Sequence, residues 1–354
     1  MKKKLATLGV TASLVVSSLW GCSPSTSTED TNVTNAEVAD TQNTEPKELT
    51  KVVLNEVAHS IFYAPMYVAI ENGYFEEEGL ELELVTGFGA DKTMTALISE
   101  EAQIGFMGPE ASIYTYQEGA TDVVKNFAQL TQRAGNFLVG REPNPDFEWS
   151  ALKGTEVIGG RAGGMPQIIF EYILKKNGID PHKDLTMIQN IDFAATGAAF
   201  AGGTGSYTIE FEPSATKLEQ QNGASVVASL GVDSGYIPYT AFSAKESYIN
   251  ENPDIIQAFT NALQKGLNYC KTASADEIAA IIKPQFPDND MDSLTTIVSR
   301  YGEQETWKDN LIFEEESFSL FQNVLESANE LKERVDYNTL VTTDFAKDAY
   351  ENIK

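Results

Sequence analysis

Apolar residues between positions 51 and 230 recur either in short runs and at every second position, or at the three- to four-residue intervals of a helix. A first group of segments alternates between predicted strands and helices, at 52–57, 65–78, 80–85, 92–100 and 102–107, with a helix from Pro109. A second group follows at 156–159, 166–176, 185–189 and 226–230. Alternating strands and helices build βαβ units around a parallel sheet, so the pattern predicts an α/β protein with two βαβ lobes.

The C-terminal part of the chain is predicted to be mainly helical. One more strand follows Tyr239, and helical spacing then covers 253–270, 275–282, 293–301 and 315–335. The 306 residues from Leu49 to the C-terminus exceed the roughly 250 to 300 over which one hydrophobic core can grow. Length and pattern therefore both indicate two lobes with a helical tail.

The N-terminus has the features of an exported lipoprotein. Three lysines at 2–4 precede an uncharged run over 5–20, and Cys22 follows shortly after. This pattern predicts a signal peptide over 1–21 and a diacylglycerol on the Cys22 thiol, and each buried acyl methylene adds about 0.8 kcal/mol of membrane affinity. A transmembrane helix, the alternative, needs about 20 apolar residues. We therefore expect a lipid-anchored protein on the extracytoplasmic face of the cell membrane.

Residues 22–48 are predicted to comprise the lipidated cysteine and a disordered tether. The segment after Cys22 consists mostly of Ser, Thr, Asn, Asp, Glu and Gln and contains no aromatic residue, so it cannot bury enough apolar surface to fold. A flexible chain of this length reaches roughly 28 Å on average. That reach suits delivery of a bound molecule to a membrane partner.

Composition narrows the classes of function. Without residues 1–21 the chain carries 22 basic and 52 acidic residues, a net charge of −30, so nucleic acid is an unfavourable partner. Once Cys22 is acylated, Cys270 is the one cysteine left, and no intramolecular disulfide can form. We expect a monomer whose stability comes from its apolar core.

Polar and aromatic residues cluster where the predicted strands of the first lobe end. The first strand leads into Phe62 and Tyr63, the second leads into Phe88, and the third leads into Gly108 and Glu110. Open α/β sheets bind ligands at the carboxyl ends of their strands. We therefore expect these residues at one rim of a cleft between the lobes.

Four segments together resemble one known family. They are APMYVAIENGYFEEEGLELEL at 64–84, AQIGFMG at 102–108, LKG at 152–154 and GGRAGG at 159–164. These segments are similar to those of the substrate-binding proteins grouped with binders of aliphatic sulfonates, nitrate and thiamine precursors, and the similarity extends across nearly all of the folded chain. The resemblance implies a type II periplasmic-binding-protein fold and a solute-binding protein that serves an ABC permease and ATPase.

The resemblance also implies where the chain crosses between the lobes. We expect lobe 1 over 49–133 and 243–354, lobe 2 over 141–235, and a hinge made of 134–140 and 236–242. A small-molecule ligand would bind between the lobes and stabilise a form closed about this hinge.

The glycine-rich turn at 159–164 is a candidate anion site. Its glycines leave backbone N–H groups bare before Met165 opens a helix, and Arg161 adds a positive charge. The family resemblance implies that Arg161, Gly163, Gly164 and Met165 contact the ligand, because the corresponding region helps hold the anion in the sulfonate and nitrate members. The alternative is a tight turn whose glycines only supply positive φ angles.

Aromatic and acidic residues favour a different ligand. A carboxylate accepts hydrogen bonds from amino groups and ring N–H groups, and aromatic rings stack on a flat heterocycle. The residues proposed for the ligand rim are Phe62, Tyr63, Phe88, Gly108, Glu110, Asp192, Phe193, Glu212 and Tyr236. We favour an aromatic heterocycle such as a thiamine-precursor pyrimidine, and core packing is the alternative for each single aromatic residue.

Other interpretations stay open from the sequence. An alkanesulfonate, a nitrate-like anion or a flavin would also suit the family, and a sensory or adhesive surface module would share the anchor and the fold. Thiamine pyrimidine synthases share the fold but carry a cysteine-rich motif, which a mature domain with Cys270 alone cannot supply. His59 and His182 lack metal-ligand spacing, and no nucleophile-elbow or P-loop pattern occurs. We therefore predict no catalytic residue, no cofactor and no metal.

Overall fold

The computed structural model describes residues 48–354. The predicted signal peptide, the lipid attachment at Cys22 and the tether up to residue 47 lie outside the described residues. Within the described part, no helix is both long and apolar enough to cross a membrane.

The strands form two five-stranded sheets. In chain order the described strands are β1 (Thr50–Glu56), β2 (Leu80–Thr86), β3 (Ile104–Met107), β4 (Val124–Thr131), β5 (Asn136–Gly140), β6 (Glu156–Ile158), β7 (Thr186–Ile188), β8 (Tyr207–Phe211), β9 (Ser225–Ser229) and β10 (Thr240–Lys245). The first sheet has the order β2-β1-β3-β10-β4, and the second has the order β7-β6-β8-β5-β9. We call the first sheet with its helices lobe 1 and the second sheet with its helices lobe 2.

The helices confirm the predicted helical C-terminal region. They are α1 (Ala64–Glu71), α2 (Tyr74–Glu77), α3 (Ala90–Ile98), α4 (Glu110–Gln117), α5 (Met165–Lys176), α6 (Thr196–Ala201), α7 (Ser214–Asn222), α8 (Leu230–Ser234), α9 (Glu246–Glu251), α10 (Pro253–Thr272), α11 (Ala275–Ile282), α12 (Met291–Glu303), α13 (Glu315–Ser327), α14 (Tyr337–Leu340) and α15 (Asp344–Asn352). Two predicted helices were too long. The first is divided at Gly73 (φ 72°), and the last ends before Asn329 (φ 61°), because left-handed residues interrupt a helix.

Both sheets are mixed, so the prediction of parallel sheets was wrong in part. β1 pairs in parallel with β2 and β3, and β6 pairs in parallel with β7 and β8. By contrast, β10 is antiparallel to β3 and β4, and β5 is antiparallel to β8 and β9. β5 and β10 are the first strands after the chain passes from one sheet to the other.

The chain passes between the sheets twice, at 132–135 and at 235–239. The predicted hinge segments overlap both crossings, although their C-terminal ends lie inside β5 and β10. The guanidinium of Arg133, in the first crossing, lies 3.9 Å from the ring centroid of Tyr236, in the second. Both side chains also hydrogen-bond to Glu305, which follows α12. Motion about these crossings stays a prediction.

Aromatic packing fixes the strand ends that face lobe 2. Phe106 of β3 and Phe242 of β10 stack with their ring centroids 4.0 Å apart, and Phe259 of α10 packs against Phe242 at 5.4 Å. All three side chains are fully buried, and burial of each contributes roughly 1.5–3 kcal/mol. The carboxyl end of β3 is therefore packed into the core of lobe 1.

Candidate ligand-binding site

A cavity of about 480 Å³ lies between the two lobes. On the lobe 1 side it is lined by residues that follow β1 and β3 and by one side of α3 and of α4. On the lobe 2 side it is lined by residues 161–166, Phe193 and Phe211. Tyr239, from the second crossing, completes the wall. The cavity therefore lies at the carboxyl ends of sheet strands, where open α/β sheets bind ligands.

Glu110 is the buried acid of this cavity. It is in the first turn of α4, its residue surface is 3% exposed, and its Oε2 has no hydrogen-bond partner among residues 48–354. Burial raises the pKa of its carboxyl to about 8, although the backbone N–H groups of Glu110 itself and of Met165 act in the opposite direction. At neutral pH the carboxyl is therefore mostly protonated, and it can donate as well as accept a hydrogen bond.

Gly108 makes room for this carboxyl. A Cβ atom at position 108 would overlap both carboxyl oxygens of Glu110. The glycine immediately after β3 is thus required by the close approach of an acid two residues further on, and its backbone conformation is not the reason.

Aromatic rings surround the acid. The described aromatic residues of the cavity wall are Tyr63, Tyr114, Phe193, Phe211 and Tyr239. The hydroxyl of Tyr114 is buried and, like Glu110 Oε2, has no hydrogen-bond partner in the described chain. Tyr239 donates its hydroxyl hydrogen to Asn136 Oδ1 at 2.5 Å. Such a wall offers flat apolar faces to a ring and a few polar atoms at its edges.

The glycine-rich turn faces the same cavity, and three of its polar groups have partners inside the protein. Arg161 donates from Nη1 to Asp91 Oδ1 at 3.2 Å and from Nη2 to Asp91 Oδ2 at 3.1 Å. The Gly163 N–H donates to Gln167 Oε1 at 2.9 Å, and the Gly164 N–H donates to the Arg161 carbonyl at 3.2 Å. The turn therefore contacts lobe 1 through a cross-cleft ion pair.

A second cavity of about 340 Å³ lies beside the first, mainly against lobe 2. Its acids are Glu210 and Glu212, and both are occupied. Glu210 accepts hydrogen bonds from three hydroxyls, those of Thr196, Thr208 and Ser214. Glu212 Oε1 lies 2.5 Å from Arg300 Nη1, and its Oε2 accepts from the Thr216 N–H at 2.9 Å. Residues 48–354 contain no group of three or more His, Cys, Asp or Glu side chains that could hold a metal ion.

Residues 61–275 match the protein family described as NMT1/THI5 like. The chain belongs to this family. It is also 46% identical over 299 residues to a Bacillus subtilis (strain 168) protein named "Putative binding protein YtlA", which covers 84% of this chain and 90% of that protein. The predicted family is thus confirmed.

Solved structures show the fold that this NMT1/THI5-like chain shares. The alkanesulfonate-binding protein SsuA from Xanthomonas axonopodis pv. citri, bound to MOPS, has a TM-score of 0.69 at 13% identity and covers 84% of this chain and 99% of its own. The ligand-binding component of an ABC-type import system from Staphylococcus aureus, with zinc bound, has a TM-score of 0.67 at 14% identity and covers 86% and 99%. The predicted periplasmic-binding-protein fold is confirmed.

Eight of the residues proposed from the sequence line the first cavity of this NMT1/THI5-like protein. They are Tyr63, Gly108, Glu110, Arg161, Gly163, Gly164, Met165 and Phe193. Glu212 lines the second cavity, where Arg300 holds it. These placements bring the two predicted rims together, and contact with a ligand stays a prediction.

Four proposed residues line neither cavity. Phe62 is fully buried in the core and packs against Tyr63, Phe211, Tyr239 and Tyr301. Phe88 is exposed on the loop after β2, and Asp192 precedes the lining residue Phe193. Tyr236 packs on Arg133 at the crossings. The residue types suited a rim, but the local backbone turns these side chains elsewhere.

Several lining residues were not among the sites proposed from the sequence. Tyr114 is four residues after Glu110 on α4, so helical spacing would have placed both on one face. Asp91 lies in the first turn of α3, two residues after Gly89, and this sequence context was a weaker indication of a ligand site than that of Tyr114. Phe211 ends β8 and Tyr239 precedes β10, and nothing in the local pattern indicates that these two approach each other at 6.1 Å.

Proposed function

We propose that this NMT1/THI5-like protein is the extracytoplasmic solute-binding component of an ABC importer. The Bacillus subtilis relative is named as a binding protein, and the Staphylococcus aureus structure is a ligand-binding component of an ABC-type import system. An interlobe cavity of about 480 Å³ suits a small molecule. The predicted lipid anchor at Cys22 would keep the protein, as a monomer, beside its permease and ATPase partners.

The ligand in this proposal is an aromatic heterocycle with an amino group, such as a thiamine-precursor pyrimidine. The observation that carries it is Glu110 Oε2, a buried oxygen without a partner in the described chain, in a cavity walled by aromatic rings. An aminopyrimidine presents a ring nitrogen beside an amino group. A protonated carboxyl can donate to that ring nitrogen and accept from that amino group, so one side chain satisfies two ligand atoms. Tyr114 and Phe193, which line the cavity and are partly exposed, supply faces for stacking.

Binding is proposed to act by closure of the cleft. Lobe 1 contributes Glu110 and Tyr63, and lobe 2 contributes Phe193 and Phe211, so a ligand that touches both sets stabilises the closed form. The permease would then recognise that form. Small-angle scattering should show a smaller radius of gyration with ligand, and an unchanged radius with a ligand of verified affinity would contradict closure.

A thermal-shift screen tests the ligand class. The panel contains a hydroxymethyl aminopyrimidine, riboflavin, nucleobases, ethanesulfonate and nitrate, added to protein that lacks the predicted signal peptide. A ligand at 100 times its Kd stabilises the folded state by about 2.7 kcal/mol, which raises the Tm by several degrees. We expect this rise with the aminopyrimidine. A rise with ethanesulfonate or nitrate alone would overturn the proposed ligand class.

Gly108→Ala should weaken aminopyrimidine binding at least tenfold while the protein stays folded. The added Cβ would overlap the Glu110 carboxyl and push it from its position over residue 108. Titration calorimetry measures the Kd, and circular dichroism checks the fold. Gly302→Ala is the control, because a Cβ there meets no atom within 4 Å. Equal affinity of the Gly108→Ala and wild-type proteins would show that the Glu110 position does not matter for binding.

A further inference from the structure

We propose that Asp91 is a specificity-determining residue that fills the oxyanion position of this cleft from inside the protein. The inference builds on the proposed function, because it takes the interlobe cavity as the ligand site. Asp91 belongs to α3 of lobe 1, and Arg161 belongs to the glycine-rich turn of lobe 2. Their side chains meet across the cavity wall.

The geometry of the pair is that of an anion bound by arginine. Both terminal nitrogens of Arg161 contact both carboxylate oxygens of Asp91, at 3.2 and 3.1 Å. A guanidinium holds a carboxylate in this two-pronged way, and it would hold an oxyanion ligand through the same donors. Asp91 therefore stands where a sulfonate would have to bind Arg161.

Two N–H groups of the turn also have internal partners. The Gly163 N–H donates to Gln167 Oε1, and the Gly164 N–H donates to the Arg161 carbonyl. An oxyanion at this turn would thus have to displace internal partners of Arg161 and of two glycine N–H groups. It would also meet the carboxylates of Asp91 and Glu118, which line the same cavity.

The chain near Asp91 is arranged to allow the pair. A Cβ atom at position 89 would lie 2.6 Å from Asp91 Oδ1 and 3.0 Å from Arg161 Nη1. Gly89 also has a φ of 146°, which side chains other than glycine rarely adopt. Asp91 and Arg161 have side chains that are 59% and 39% exposed, so the pair contributes little to stability. Its effect is therefore on which ligand can use Arg161.

Asp91→Ala should create affinity for a sulfonate. We expect ethanesulfonate and MOPS to bind the variant at least tenfold more tightly than the wild type. Titration calorimetry measures both Kd values. Asp91→Ala combined with Arg161→Ala should lose this gain, because Arg161 supplies the binding groups. Asp348→Ala, in α15 at the surface, removes the same charge away from the cleft and should bind sulfonates as the wild type does.

Each outcome decides the inference. Sulfonate affinity that is equal in the wild type, Asp91→Ala and Asp348→Ala would overturn it, and so would a gain that persists in the double variant. The aminopyrimidine is titrated into the same proteins as a separate arm. If the wild type fails to bind it while Asp91→Ala gains sulfonate affinity, the proposed ligand class is wrong and the role of Asp91 stands.

Discussion

Glu110→Leu should weaken aminopyrimidine binding by about 100-fold. Leucine has a similar size but can neither donate to a ring nitrogen nor accept from an amino group, and each lost hydrogen bond to a buried partner costs about 1–3 kcal/mol. The Glu110 residue surface is only 3% exposed, so water cannot easily replace the lost partner. Titration calorimetry of the wild type and the variant at one pH measures the change in Kd.

Glu110→Gln is the matched control for this loss. An amide keeps one donor and one acceptor in the positions of a protonated carboxyl, so we expect binding within tenfold of the wild type. The amide does not titrate, whereas the pKa of Glu110 is about 8. The affinity of the variant should therefore vary less than that of the wild type between pH 6 and pH 9 (roughly the range around that pKa). Leucine and glutamine variants of equal affinity would contradict a hydrogen-bonding role.

Glu110→Leu should also change the pH dependence of the free energy of unfolding. A carboxyl with a raised pKa binds more protons in the folded state than in the unfolded state, so the free energy of unfolding falls as pH rises from about 4.5 to about 8. The fall amounts to roughly 3–5 kcal/mol in the unliganded wild type. Glu110→Leu should lack it and should be the more stable protein at pH 9. Thermal unfolding across this pH range measures the difference between the two proteins. Parallel curves of stability against pH would contradict the burial of an ionisable acid.

The sequence was informative where one short segment decides the outcome. β1, β2 and β3 were predicted to within about two residues, because their apolar patterns are local. β4 was missed because buried polar residues break its pattern. Asn126 in β4 donates to the Leu340 carbonyl. This partner is 214 residues away in the chain, so spacing cannot show it.

The candidate site was predictable to a similar extent. Glu110 and Gly108 follow a buried strand, and the rule for strand ends places them at the cavity. Phe62 and Tyr63 are adjacent, yet a 3₁₀ turn over Ile61–Tyr63 sends the first into the core and brings the second to the cavity wall. Sequence gives no side-chain direction within such a turn. The partner of Arg161 is 70 residues away in the chain, so its pairing with lobe 1 could not be read from the glycine-rich turn.

Arg300→Met should lower the free energy of unfolding by about 3 kcal/mol near neutral pH, because removal of one partner leaves a buried acid uncompensated. Arg300 Nη1 lies 2.5 Å from Glu212 Oε1, and the Glu212 side chain is 0% exposed. Urea unfolding measures the loss. Lys51→Met is the control, since the 3.4 Å pair of Lys51 with Glu81 is exposed on both sides and contributes little.

The cause of that loss can be separated from lost packing by a second substitution and by pH. Burial raises the pKa of Glu212 and Arg300 opposes the rise, so without Arg300 the pKa moves further upward. A protonated Glu212 needs no cation, so the difference between wild type and Arg300→Met should shrink as pH falls and grow as pH rises. Glu212→Gln should restore much of the stability of Arg300→Met. A loss that neither pH nor Glu212→Gln changes would show that Arg300 stabilises the protein by packing, and that Glu212 is free to serve the second cavity.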